Sequence, residues 1–276
     1  INIIQNIISS LRSNNILIGI ICCLISLQKL AISILNINAI LGILIIILLM
    51  MGSNIFNDIF DIKTDSINQP NRSLVLYPYL KNYFIIAGTI FLIFALILSF
   101  FLNFTSNLIV LCSIPILILY TPIFKKMMFF GNMIIAFFLG LVFLFIEVAT
   151  LETFHTLLLP AIVAFSISLI REIIKDIADY KGDKAANIKT LVIYLGIKKT
   201  IYLSIILIHL FIIGFSLFLY YSYNLYLHIT VFLLVFLPLF YLIFFLIKSP
   251  TETACSEASD LLKKITILGL LIIYIL

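Results

Sequence analysis

The sequence predicts an all-α integral membrane protein, a single bundle of about nine transmembrane helices with polar cap loops at one end. Three observations carry this. The 276 residues are 64% hydrophobic and 11% charged, against roughly 45–50% and 25% in soluble domains. The apolar stretches are long and do not alternate, which excludes a membrane β-barrel. Basic residues crowd into every second connection. A chain this apolar takes lipid as its solvent. Its formal charge of +5 therefore speaks to orientation, and no nucleic-acid partner is expected.

Taken in order, the spans lie near 14–33, 38–58, 83–102, 107–124, 132–151, 156–177, 199–220, 225–247 and 261–276. Each approaches the ~20 residues that cross a bilayer as a helix, the last being short. No small-residue cleavage site follows the first apolar stretch, so it reads as the first span and not as a signal peptide. The links after the first, third, fifth and seventh spans, NINA, NFTSN, LETFH and YSYNLYLH, hold no Lys or Arg. The alternate links hold Lys63, Arg72 and Lys81; Lys125 and Lys126; Arg171 to Lys199; and Lys248, Lys263 and Lys264. Lys29 is the exception and can snorkel to the far interface. The positive-inside rule then puts the N-terminus and the charged loops in the cytoplasm and the C-terminus outside, in a multi-pass protein of the cell membrane. Cys22, Cys23, Cys112 and Cys255 lack ligand spacing and read as small apolar residues. Residues 1–276 form one domain, with motif loops near 54–82 and 171–198.

Two of the spans end in acid. Residues 54–72 read NIFNDIFDIKTDSINQPNR, and residues 171–183 read REIIKDIADYKGD. On a continuous helix Asn54, Asn57, Asp58, Asp61 and Asp65 fall within about 100° of arc, and Asp176, Asp179 and Asp183 within about 60°. Asp58, Asp61 and Asp65 share the i, i+3, i+7 spacing of the second set. Like charges so placed repel, and the membrane boundary raises the cost. One such phrase reads as a solvated helix end. Two of matched spacing on the same side call for a compensating cation, and a stripe of oxygen ligands suits Mg²⁺, which completes its shell with substrate phosphates. Arg72 adds a bidentate fork for phosphate. Acid for metal and base for phosphate, at the mouth of an oily bundle, imply a ligand with a diphosphate at one end and a long hydrocarbon at the other. The two phrases end the second and sixth spans, which suggests a four-plus-four pseudo-repeat.

The first phrase, N57-D58-x-x-D61-x-x-x-D65 followed by N68-x-P70-x-R72, and the second, D176-x-x-D179-x-x-G182-D183 followed by K189-T190-L191, together resemble the UbiA superfamily of intramembrane prenyltransferases. L11-R12-S13-N14-N15 and Y120-T121-P122-I123-F124-K125-K126 with G131-N132 extend the resemblance, which runs from Arg12 to about Leu191. Beyond that, only hydropathy agrees. Ser13 and Ser73 stand where the family usually has Pro, which puts loop shape in question and leaves the acidic residues untouched.

The resemblance implies Mg²⁺-dependent prenyl transfer with two ions. Asn57, Asp61 and Asp65 would hold one, with Asp58 nearby. Asp179 and Asp183 would hold the second, supported by Asp176. Arg72 and Lys125 would grip the diphosphate, Tyr120 would line the cavity, and Asn15, Asn54, Asn132, Lys175 and Lys189 would serve substrate binding. Asp58, Asp61, Asp179, Asp183, Arg72 and Lys125 are the catalytic set. The partners implied are an isoprenyl diphosphate donor, a lipid-like phosphate-bearing acceptor and membrane lipid. The stretch from Arg171 to Lys184 with K189-T-L looks most like archaeal members, which transfer a geranylgeranyl group to geranylgeranylglyceryl phosphate in ether-lipid synthesis. Lys81, Lys125, Lys126 and Lys184 are available for the acceptor's phosphate. A quinone-pathway aromatic prenyltransferase is the alternative within the family. A cation-coupled transporter is the alternative outside it, with Glu147 and His209 as the nearest mid-span ionisable groups. A phosphatidyl-type transferase is disfavoured because no D-G-x-x-A-R stretch occurs.

Overall fold

The computed structural model describes residues 3–220 and 225–275, and among them every regular element is helical. The helices run α1 (Ile3–Ser10), α2 (Ser13–Lys29), α3 (Ile37–Phe60), α4 (Ile62–Asn68), α5 (Ser73–Leu76), α6 (Lys81–Ser99), α7 (Phe104–Leu119), α8 (Met128–Leu151), α9 (Leu158–Ala178), α10 (Tyr180–Ala185), α11 (Leu191–Leu195), α12 (Ile197–Tyr220), α13 (Leu225–Val231), α14 (Leu237–Lys248) and α15 (Glu252–Ile275). A helix therefore stands at each of the nine apolar stretches. The span count itself comes out lower by length and composition. Among the described residues, five helical segments are long and apolar enough to cross a membrane, and six are if α1 and α2, bent by 56°, form one span. The shortfall has a physical cause: α7 has 16 residues, α9 carries Arg171, Glu172, Lys175 and Asp176 in its last turns, and α15 carries Asp260, Lys263 and Lys264. The seventh link, YSYNLYLH, falls partly outside the described residues.

Six helices close a ring. α2 packs on α3 and α8, α3 on α7 and α8, α8 on α9, and α9 on α15, which returns to α2. α6 braces α3 from outside, and α12 and α14 brace α9 and α15. The main core runs through this ring from Cys22 and Cys23 to Leu262 and Ile265. Large apolar side chains such as Ile86, Phe94, Phe137, Leu210 and Phe244 stay exposed around the outside, a belt that only lipid can cover.

The links NINA and NFTSN supply helix caps, and LETFH is held by a buried carboxylate. Asn36 accepts from the N–H groups of Asn38 and Ala39 at 2.9 and 3.2 Å and starts α3. Asn103 accepts from the Ser106 N–H at 2.9 Å to start α7, and its amide donates to the Val148 carbonyl at 2.7 Å. Glu147, fully buried near the end of α8, accepts from the N–H groups of His155, Thr156 and Leu157 at 2.8–3.0 Å and from the Thr153 hydroxyl at 2.8 Å. These N–H groups belong to the loop that leads into α9, and the Glu147 carboxylate meets them. Glu147 is thus structural. His209 Nδ1 lies 2.8 Å from the Ile205 carbonyl of its own helix. Between α13 and α14 the chain passes through a π-helical turn, Phe232–Phe236, beside Pro238, which has no N–H to give the helix ladder.

Candidate active site

The two acidic phrases are not continuous helices. Each breaks at its middle aspartate. α3 ends at Phe60, Asp61 takes φ −88°, ψ 3°, and α4 begins at Ile62. α9 ends at Ala178, Asp179 takes φ −87°, ψ 3°, and α10 begins at Tyr180. The i→i−4 backbone bonds continue through both breaks: Asp61 N to Asn57 O at 2.8 Å and Asp65 N to Asp61 O at 2.7 Å, Asp179 N to Lys175 O at 3.0 Å and Asp183 N to Asp179 O at 3.1 Å. The side-chain stripe survives while the helix bends.

The breaks face each other across one amide. Asn68, at the end of α4, donates to the Asp179 carbonyl at 3.1 Å and accepts from the Gly182 N–H at 3.0 Å. Gly182 packs so tightly on this amide that a Cβ would overlap it. α4 and α10 are thereby held side by side at one end of the ring.

Between them opens a cavity of about 560 Å³, within the range of ligand sites. Its mouth holds Asn57, Asp61, Asp65, Arg72, Tyr120, Lys125, Lys175, Asp176, Asp179 and Asp183; Asn15 and Asn54 also line it. Deeper, it is walled by apolar groups such as Ile46, Leu49, Ile109, Phe138, Val142 and Phe145. Lys125 Nζ donates to Asp61 Oδ1 at 2.7 Å. Burial opposes its charge, but Asp61, Asp183 and Asp179 outweigh burial and hold its pKa above the ordinary lysine value. Burial, reinforced by neighbouring carboxylates, pushes Asp65 and Asp183 up to about 6, against the pull of Arg72 and Lys125 respectively.

Asp58 has a different task from its neighbours. It is buried, and its Oδ1 accepts from Arg12 at 2.8 Å and also from Arg72. Arg72 Nε lies 3.5 Å from Asp65 Oδ2. Arg12 and Arg72 are the residues just before α2 and α5, so Ser13 and Ser73 occupy the first helical position, where Pro is also accommodated. Asn132 does not line the cavity; its amide donates to Asp176 Oδ2 at 2.8 Å and fixes that carboxylate from behind. Asn57 Oδ1 is oriented by the Thr121 hydroxyl at 2.9 Å. Lys189 is exposed and away from the cavity, contributing its carbonyl to the Met128 N–H at 3.0 Å. Lys81, Lys126 and Lys184 are also exposed and do not line the cavity. Sequence reasoning passed over Arg171, Glu172 and Lys263, which do.

The donor set fits a divalent cation. Both carboxylate oxygens of Asp183 are buried without a hydrogen-bond partner, a costly arrangement unless a ligand meets them. Among the described residues no three His, Cys, Asp or Glu side chains form a ready cage. Mg²⁺ takes one or two carboxylates from a protein and completes its shell with water and phosphate oxygens.

Comparisons with known proteins identify the family. Residues 17–265 match the UbiA prenyltransferase family, so the likeness continues past Leu191. A digeranylgeranylglyceryl phosphate synthase of Saccharolobus solfataricus is 32% identical over 238 residues, covering 84% of this chain and 82% of its own. A solved digeranylgeranylglyceryl phosphate synthase superposes with a TM-score of 0.72 at 30% identity, covering 100% of this chain and 98% of its own. A UbiA homologue of Archaeoglobus fulgidus, solved with GPP and Mg²⁺, shares the fold at a TM-score of 0.64 and 16% identity, covering 97% and 99%. With its paired acidic breaks opening on a single greasy cavity, this chain belongs to the UbiA prenyltransferase family.

Proposed function

We propose that this prenyltransferase moves a geranylgeranyl group from geranylgeranyl diphosphate to the free hydroxyl of geranylgeranylglyceryl phosphate, with two Mg²⁺ ions, at the cytoplasmic face of the cell membrane. The observation that carries the reading is the shared cavity, acidic and basic at its mouth and apolar in depth. The names of the similar synthases support the acceptor. Asn57, Asp61 and Asp65 would hold one ion, and Asp179 and Asp183 the other, supported by Asp176.

Bound there, the ions supply electrostatic neutralisation of the departing diphosphate. The residues do the rest. Arg72 and Lys125 bind the diphosphate oxygens. The bond between C1 and the diphosphate oxygen breaks, and its electron pair leaves with the diphosphate. The acceptor's hydroxyl oxygen bonds to C1 and gives up its proton to the departing diphosphate. The apolar walls position the prenyl chain and exclude the water that would quench the allylic cation. Transport fits less well. The carboxylates sit at helix ends beside cations, while Glu147 and His209 are engaged in local hydrogen bonds.

The test is purified protein in detergent with labelled geranylgeranyl diphosphate and a panel of acceptors. Product is expected with geranylgeranylglyceryl phosphate and Mg²⁺, and not with excess EDTA. Product only with aromatic acids, or undiminished turnover in chelator, would overturn the reading.

A further inference from the structure

The cavity has a second charged region, on the α9–α15 side. Arg171 and Glu172 of α9 pair at 2.6 Å. Lys175 Nζ lies 3.9 Å from Glu172 and 3.7 Å from Asp179, too far for a firm hydrogen bond to either. Lys263 of α15 contacts Asp260 at 3.2 Å, an exposed pair of little energetic weight. Arg171, Glu172, Lys175 and Lys263 all line the cavity, whereas Asp260 does not. Glu172 feels the charges of Lys175, Arg171, Arg12 and Lys263 together. Two carboxylates, Glu172 and Asp179, thus stand against three cavity-lining cations, Arg171, Lys175 and Lys263. Arg171 Nε is also buried with no hydrogen-bond partner, which leaves an unmet donor in this wall.

With three cations against Glu172 and, at longer range, Asp179, this wall suits an anion, while the diphosphate is assigned above to Arg72 and Lys125. We infer that Arg171, Lys175 and Lys263 form a separate subsite for the phosphate monoester of the acceptor. The inference rests on the acceptor reading proposed above and identifies the residues that would recognise it. Arg171 offers a planar fork, and the two ammonium groups offer point charges, a combination matched to a dianionic phosphate. Because donor and acceptor anions occupy different walls of one cavity, the acceptor's hydroxyl can reach the reacting carbon without its phosphate competing for the metal end.

The experiment compares the full chain with Arg171→Gln, Lys263→Gln and Arg171→Lys variants. Three quantities are read: KM for geranylgeranylglyceryl phosphate, KM for the dephosphorylated alcohol geranylgeranylglycerol, and Mg²⁺-dependent binding of geranylgeranyl diphosphate. Each Gln variant should raise KM for the phosphorylated acceptor at least tenfold, and its preference over the alcohol should fall in parallel. Donor binding should change less than twofold, which also shows that the variant is folded, and Arg171→Lys should recover part of the loss. Unchanged acceptor KM, or a rise in donor KM instead, overturns the subsite. If the unaltered protein binds no geranylgeranyl diphosphate, the prenyl-transfer reading fails by itself. Calorimetric titration with geranylgeranylglyceryl phosphate then still judges the subsite: binding lost in Arg171→Gln upholds it, and equal binding or none by the unaltered protein rejects it.

Discussion

At the scale of single residues, neighbours in one acidic phrase do different work. Asp58, buried under two guanidiniums, orients Arg12 and Arg72. Asp58→Asn should lower stability by about 2 kcal/mol, the order expected for losing charged hydrogen bonds that are partly open to solvent. It should also weaken donor binding more than Mg²⁺ binding, read by unfolding in detergent and by titration with each ligand. Asp183 and Asp65, raised from 3.8 to about 6, set a pH window. Carboxylates raised on folding are protonated in the folded protein between about pH 4 and 6, so their contribution favours folding below that window and is lost as pH rises through it. A cation binding them must displace those protons. Stabilisation by Mg²⁺, measured as a shift in Tm, should therefore be small at pH 5 and large at pH 7.5. Equal shifts at both would contradict the assignment. The residue types and spacing of the acidic set were legible in the sequence. The division between Asp58 and its neighbours was not, because it depends on where Arg12, some 46 positions upstream, is placed by the bend between α1 and α2.

At the scale of elements, the decisive feature is the paired break at Asp61 and Asp179, with Asn68 fastening α4 to α10. Gly182→Ala would push a methyl group into the Asn68 amide and separate the two short helices. Turnover should fall at least tenfold while the protein stays folded, checked by kcat and by circular dichroism; activity within twofold of normal would show that the pairing is dispensable. Hydropathy located every long helix because a lipid-facing segment must be apolar along its length. It could not locate the breaks, since Phe60, Ile62, Ala178 and Tyr180 suit a helix as well as a bend. Lys263 was missed for a related reason. It reads as one more basic residue near an interface, and only the packing of α15 between α2 and α9 carries it to the cavity.

At the scale of the whole molecule, the ring keeps its chemistry at one end and its caps at the other. If the charged end faces the cytoplasm, Lys184→Cys should react with a membrane-impermeant maleimide only in inside-out vesicles, and His155→Cys only in right-side-out ones. The reverse pattern would invert the topology.

The Glu147 carboxylate stitches α8 to α9 at the distal end with four hydrogen bonds. Whatever breathing lets a twenty-carbon tail slide in or out has to be borne elsewhere. At the opposite rim lie the brief α4, α5, α10 and α11, of seven, four, six and five residues, with α4 and α10 tied through Asn68. The bundle is therefore built like a purse, sewn at the base and drawn closed at the rim.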